Sequence, residues 1–168
     1  MTAAWFSCVG TPLAHRERDE IAGLLQAAAE PPRVGIRGLA HWHEVGAVIR
    51  AADWDDAGWE REDEERQRLW HAASERIDED ALLRQLTAAT GALAGALHDA
   101  AAMAAAREGC ADAGLIRAAA EAALLAVHQS ELAGIAGEGA GHFFVLRRAL
   151  FGRGRWPLGT YRGQYLVF

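Results

Sequence analysis

Histidines and glutamates at helical spacing are the first residues in this chain whose types could support chemistry. Seven histidines are present, and His41 with Glu44, and His128 with Glu131, lie three residues apart. Residues at that spacing share one face of a helix. Together with His98 they suggest one hypothesis, an enzyme whose metal or small-ligand site lies inside a helical bundle.

The histidine spacing nevertheless departs from known metal motifs. His41 and His43 are two residues apart, about 200° around a helix, so they cannot bind one ion unless that segment is extended. A di-iron bundle needs glutamate three residues before histidine on two helices, and this chain has no such pair and no HExxH motif. The sequence therefore predicts no metal and no cofactor, with the histidine–glutamate set kept as the alternative.

Lysine-dependent chemistry is excluded, because all 17 basic residues are arginines. A chain without lysine cannot form a Walker A site, a Schiff base or a lysine general base. The serines lack the context of a nucleophile elbow. We therefore favour a non-enzymatic protein.

An acidic segment with two tryptophans, residues 52–65, is the most functional-looking stretch. Apolar anchors ringed by charge are typical of protein interfaces, and carboxylates steer basic partners. The alternative is that both tryptophans belong to the core while their acidic neighbours face water. The predicted partner-binding residues are Asp53, Trp54, Asp55, Asp56, Trp59, Glu60, Asp63 and Glu64.

Composition limits the class of partner and the compartment. A net charge of −6 argues against nucleic acid as the partner, and the five arginines at positions 147, 148, 153, 155 and 162 are interpreted mainly as ion-paired. Cys8 and Cys110 are far apart and are interpreted as reduced thiols. Residues 87–106 have the length of a membrane span but carry His98 and Asp99, so we expect a buried helix. With no signal peptide pattern, a cytoplasmic location is predicted.

The first half of the chain predicts three helices. Thr11-Pro12 is a predicted helix start and Pro31-Pro32 a stop, with the helix running from Leu13 to about Ala29. Residues 41–52 form the second helix. Residues 5–9 are compatible with either a strand or a helical turn.

The third helix is strongly charged. Trp59, Leu69, Trp70 and Ala73 form its predicted inward face. Glutamate–arginine pairs four residues apart, Glu62 with Arg66 and Glu64 with Arg68, are expected on its outer side.

The second half predicts three more helices and a hairpin. The longest helix is expected from Asp78 or Asp80 to Gly109, followed by one from about Ala113 to Gly137. Both are lined with alanine and glycine, so we expect them to pair closely at the centre. Residues 142–151 form the last helix, and the aromatic tail 152–168 a hairpin that seals the smooth alanine surfaces.

The predicted fold is mostly α: a single domain over residues 1–168, with an irregular bundle of five or six helices and a small C-terminal β-hairpin. A homodimer packed through the aromatic tail or a small-residue helix face is a further hypothesis.

The tail carries a resemblance. Gly154, Trp156, Pro157 and Gly159 form a GxWPxG element, followed by a short apolar strand. This ending resembles the tail of small helical cytosolic bacterial proteins, among them immunity proteins of toxin–antitoxin and contact-dependent competition loci. The resemblance covers the tail alone and implies no catalytic residues. It favours an immunity-type inhibitor that binds a basic protein through the acidic segment.

Overall fold

The computed structural model describes residues 4–30, 33–51, 54 and 56–168. Within these ranges the chain forms seven helices and one three-stranded sheet, which confirms the mostly α prediction. The helices are α1 (His15–Ala27), α2 (Trp42–Ile49), α3 (Asp56–Ser74), α4 (Glu79–Gly91), α5 (Ala94–Arg107), α6 (Ala113–Ala136) and α7 (Phe143–Gly152). The strands are β1 (Gly35–Gly38), β2 (Pro157–Tyr161) and β3 (Gln164–Val167).

Helix α6 is the centre of the helical part. The Asp112 carboxylate accepts a hydrogen bond from the Leu115 amide (3.0 Å) and caps its start, and Gly137 ends it in the left-handed region at φ 91°. Helices α3, α4, α5 and α7 all pack on α6. Alanines fill much of its buried face, and their small side chains allow close approach of the neighbouring backbones. The predicted pairing of α5 with α6 is confirmed.

The predicted helix from residue 78 to residue 109 is wrong as a continuous element. It is two helices, α4 and α5, separated at Ala92 and Leu93, so α6 with 24 residues is the longest helix. Gly91 and Gly95 flank the break. Because glycine is a poor helix former, interrupting the helix here costs little free energy. No helix among the described residues is long and apolar enough to cross a membrane.

The start of α1 also differs from the prediction. Ala14, not Thr11, precedes the helix, and the Glu17 carboxylate accepts a hydrogen bond from the Ala14 amide (2.7 Å). The Thr11 hydroxyl instead donates to the Cys8 carbonyl (2.7 Å). Residues 5–10 form turns rather than a strand or a helix. The predicted Pro31-Pro32 stop lies outside the described residues.

The C-terminal hairpin is confirmed, and it is part of a three-stranded sheet that was not predicted. Strands β2 and β3 pair in antiparallel fashion, and Arg162 and Gly163 turn the chain with φ values of 49° and 72°. Strand β1 then pairs parallel to β3, which becomes the central strand. The sequence prediction missed β1, because glycine at both ends of GIRG gives no strand pattern.

The aromatic tail is part of the core. Trp156 and Phe168 are 2% and 0% exposed, and the Phe168 ring lies edge-on to Trp42, with 5.2 Å between ring centroids. Phe6 packs edge-on against both Trp156 and Phe151. These large rings fill the space that alanine-rich helices leave open. Tyr161 of the same tail is half-buried, and the hypothesised homodimer stays a prediction.

Arg155 holds the N-terminal turns against the tail. Its side chain is only 4% exposed and donates five hydrogen bonds. Two reach the Glu17 carboxylate (2.7 and 2.9 Å), and three reach the carbonyls of Cys8 (2.6 Å), Thr11 (2.7 Å) and Pro12 (3.0 Å). All five guanidinium donors are satisfied, which offsets the cost of burying the charge.

Replacing Arg155 with methionine should reduce the free energy of unfolding by about 3–5 kcal/mol, because the partly buried Glu17 carboxylate loses its counter-charge and three carbonyls lose their hydrogen-bond donor. Urea unfolding followed by circular dichroism measures the loss. Arg153→Met is the matched control: Arg153 pairs with Glu20 but is 47% exposed, so its loss should be at most about 1 kcal/mol. Equal losses in the two variants would contradict the assigned role of Arg155.

Candidate functional site

Helix α3 presents two different sides. Its sequence is dominated by glutamate and arginine, which are good helix formers, and only Leu69 and Ala73 are fully buried. The helix packs on α6 through this narrow contact. Most of its charged side chains are therefore left to face either solvent or the neighbouring α7.

The inner side of α3 is held to α7 by ion pairs. Glu62 pairs with Arg147, both largely buried, and the Glu65 carboxylate lies 2.9 Å from the His142 imidazole. Burial alone would lower the pKa of Arg147, but the hydrogen-bonded Glu62 carboxylate raises it above its usual value. These two contacts fix α3 over the end of the bundle.

The predicted ion pairs along α3 are replaced by other pairs. Arg66 pairs with Asp63, and Arg68 pairs with Glu65 and with Glu138. Glu62 pairs with Arg147 instead of Arg66. The pair between α3 and α7 is less exposed to solvent than a pair along one helix surface, so its attraction is less screened.

The predicted partner-binding residues fall into three groups. Asp56, Glu60 and Glu64 are exposed and form no ion pair with any described residue. Asp63 is half-buried and accepts from Gln67 (2.9 Å) as well as pairing with Arg66. Asp53 and Asp55 lie outside the described residues.

The two tryptophans of the segment differ in environment. Trp54 is half-buried: its indole Nε1 donates to the Val48 carbonyl (3.2 Å) and its ring lies against Tyr161, 5.5 Å between centroids. Trp59 is 56% exposed, so its predicted place on the inward face of α3, and the alternative that it is a core residue, are wrong. The cause is local: this end of α3 lies over a cavity instead of over packed side chains.

The histidines of the alternative hypothesis do not converge. His98 is exposed on α5, not inside the bundle. His41 precedes α2, where it stacks on His43 and lies 3.7 Å from Glu108. Glu44 accepts from the Ala40 amide (2.8 Å), and this hydrogen bond lowers the pKa of its carboxyl.

The second part of that hypothesis lies on α6. His128 is half-buried, its Nδ1 has no hydrogen-bond partner, and burial lowers its pKa, assisted by the charge of Arg66. Glu131 accepts from the Gln85 amide (3.2 Å). In the described part of the chain no three His, Cys, Asp or Glu residues are grouped so that they could hold a metal ion.

A cavity of about 670 Å³ lies between α1, α3, α6, α7 and the hairpin. Its apolar walls include Leu24, Phe143, Phe151, Trp156 and Leu158. The α6 wall is formed in part by Ala118 and Ala122, whose small side chains leave the space unfilled. Sequence reasoning missed the cavity, and the only signal for it was this pair of alanines facing large aromatic residues.

Polar groups reach the same cavity from α3, α6, α7, β2, β3 and the segment that follows α1. They are Glu30, Arg61, Glu62, Glu65, Gln129, Arg147, Thr160 and Tyr165. Arg61 pairs with Glu30 (2.9 Å) and Arg147 with Glu62. The described lining contains no histidine, cysteine or serine.

Comparison with protein-family models, curated proteins and solved structures gave no match. The function of these surfaces therefore has to be inferred from their geometry.

Glu65 should make stability depend on acid pH. The Arg68 hydrogen bond, opposed by burial and assisted by His142, lowers the pKa of Glu65 below its ordinary value of 4.5. Because the folded state has the lower pKa, this stabilisation is complete above pH 4.5 and is lost as the pH falls through the folded value. Glu65→Gln should lose about 1–2 kcal/mol at pH 7 and decline less steeply below pH 4.5 than wild type.

Unfolding in urea at several pH values between neutral and acid measures this difference. Glu75→Gln is the matched control, since Glu75 is exposed and has no ion pair with the described residues. The prediction fails if Glu65→Gln and Glu75→Gln give parallel stability curves.

Proposed function

We propose that this protein is a non-enzymatic interaction module, an immunity-type inhibitor that binds a basic protein through the acidic face of α3. The acidic face consists of Asp56, Trp59, Glu60, Asp63 and Glu64. The observation that carries the proposal is the exposure of Trp59, 56% of whose surface is open to solvent. Asp56, Glu60 and Glu64 on the same helix are exposed and form no ion pair with any described residue. Tryptophan is enriched among the residues that contribute most to binding at protein interfaces.

The chemistry of the acidic face suits a cationic surface. Trp59 and Leu125, which is 43% exposed, border one depression together with Glu60, Asp63 and Glu64. An arginine or lysine of a partner could lie over the indole, a favourable cation–π contact, while its charge meets a carboxylate. The net charge of −6 adds long-range attraction for a basic partner.

The C-terminal arginines support a protein rather than an anionic polymer as partner. Arg147, Arg153 and Arg155 pair with Glu62, Glu20 and Glu17. Since these charges are neutralised within the chain, they do not form the concentrated basic surface that phosphate backbones require.

The alternative is an enzyme with its site inside the bundle. The structure has a cavity there, but the histidines that this hypothesis requires do not line it. His98 is on the outside of α5, and the described cavity lining holds no histidine. The binding groups of the cavity remain, and they favour a ligand without a chemical step.

Neutralising the acidic face should abolish partner binding. Two triple variants each remove three exposed carboxylates and therefore have equal net charge. The acidic-face variant carries Asp56→Asn, Glu60→Gln and Glu64→Gln, and the control carries Glu75→Gln, Glu79→Gln and Glu121→Gln. Each is immobilised and exposed to lysate of the native host, and bound proteins are eluted in salt steps between about 50 and 500 mM and quantified by mass spectrometry. Wild type and control should retain the same basic protein, and the acidic-face variant should retain at least 10-fold less.

Trp59→Ala separates an interface from charge attraction alone. An anchoring tryptophan contributes about 2 kcal/mol or more to the free energy of binding. The dissociation constant of the complex with the purified partner, measured by calorimetry, should therefore rise at least about 10-fold in this variant. Retention of the partner by the acidic-face variant, or unchanged affinity of Trp59→Ala, would contradict this assignment of the surface.

A further inference from the structure

Several polar residues that line the cavity carry buried atoms without a hydrogen-bond partner among the described residues. Gln129 is 2% exposed, and its Oε1 is one such atom. The Thr160 Oγ1 and the Glu30 Oε2 are two more. Tyr165 is 3% exposed, and its hydroxyl interacts with the Arg147 guanidinium. All four residues line the cavity. Buried polar groups are nearly always hydrogen-bonded in folded proteins, to protein, to water or to a ligand, so these residues supply polar groups for a ligand in this space.

The charges of the cavity are already balanced. Arg147 is neutralised by Glu62, and Arg61 by Glu30. Glu65 pairs with Arg68 from outside the lining and is hydrogen-bonded to His142. A charged ligand would have to give up its hydration without finding an unpaired counter-charge, which is unfavourable in a largely apolar space.

The aromatic side chains of the cavity wall favour an aromatic ligand. Trp54, Trp59, Phe143, Phe151 and Trp156 line the cavity together with Tyr165. Aromatic side chains bind planar molecules by offset stacking and edge-to-face contact. The volume of about 670 Å³ lies within the range of about 300–1,000 Å³ that is usual for sites of small organic ligands.

We propose that this cavity binds an uncharged, mainly aromatic small molecule that donates a hydrogen bond to Gln129 Oε1 and bonds to the hydroxyls of Thr160 and Tyr165. The inference goes beyond the proposed partner interaction. Trp59, Leu125 and Gln129 border both the cavity and the depression on the acidic face. Thr160, Tyr165 and Ala122 line the cavity and not that depression, so a change at Ala122 tests ligand binding separately from partner binding.

Gln129→Leu removes the amide oxygen while keeping a side chain of similar size. Water can bond to this oxygen in the ligand-free protein, so the melting temperature should change by no more than about 2 °C. The same variant should bind ligand less well, because the hydrogen bond to the ligand is lost. A residue with a purely structural role would not combine unchanged stability with weaker binding.

N-phenyl-1-naphthylamine is a suitable probe, because it is uncharged, aromatic and carries one N–H donor. Its fluorescence should rise saturably with one site per wild-type chain. Gln129→Leu should raise the dissociation constant about 3- to 10-fold through the lost hydrogen bond. Gln26→Leu, the same change at an exposed position of α1, should leave it unchanged.

Ala122→Phe fills the cavity from the α6 wall and should reduce the fluorescence rise by at least 10-fold, whereas Ala106→Phe, at an exposed position of α5, should not. The sulfonated analogue 8-anilinonaphthalene-1-sulfonate tests the uncharged class and should bind at least 10-fold more weakly than the amine. Because Gln129→Leu keeps a side chain of similar size and should fold, its result stands even if Ala122→Phe does not fold.

Three results would overturn the proposal. They are a wild-type protein without saturable amine binding, a sulfonate that binds as tightly as the amine, and a Gln129→Leu variant with unchanged affinity.

Discussion

The buried guanidinium of Arg155 is the contact on which the arrangement of the chain depends. It joins three elements that share no strand or helix: the turns around Cys8, the start of α1 at Glu17, and the segment that leads into β2. A charge in this position is tolerated only because every donor has an acceptor. Its neighbour Trp156 is thereby placed against Phe6 and Trp42, and the core aromatic cluster follows from that placement.

Small and large side chains divide the work in the rest of the fold. Alanines of α6 allow α5 to approach closely, while the aromatic tail fills the wider gap on the other side. Where α3 crosses this gap, the complementarity between small and large residues is incomplete, and the cavity is the result. The inner carboxylates of α3, Glu62 and Glu65, hold the helix in place over that space. Its outer carboxylates Asp56, Glu60 and Glu64 are exposed and form no ion pair with any described residue.

Much of the architecture could be predicted from local patterns. Asp112 and Gly137 mark both ends of α6 as the sequence suggests, and the alternation around Gly163 identified the hairpin. Strand β1 could not be predicted, since its pairing depends on residues far along the chain and GIRG has no strand pattern of its own.

Side-chain environments were harder to predict than helices. Arg155 looked like one of several surface arginines, because nothing local shows that three carbonyls converge on it. Trp59 was misplaced for a related reason: helical periodicity gives the direction of a side chain but not whether packed atoms or empty space lie beneath it. Four of the eight predicted acidic-segment residues, Asp56, Trp59, Glu60 and Glu64, are exposed on one helix. The cavity has no sequence pattern, since it arises from the way separate elements meet.

The parallel pairing of β1 with β3 has a consequence for folding kinetics. Gly35 pairs with Gln164, so two strands separated by roughly 130 residues must meet before they can pair. Closing so long a loop is slow. Contacts between α4, α5 and α6 are local by comparison and can form early. The ligand cavity, one wall of which is the hairpin, would then be the last feature to be completed, and ligand binding would report the end of folding rather than its beginning.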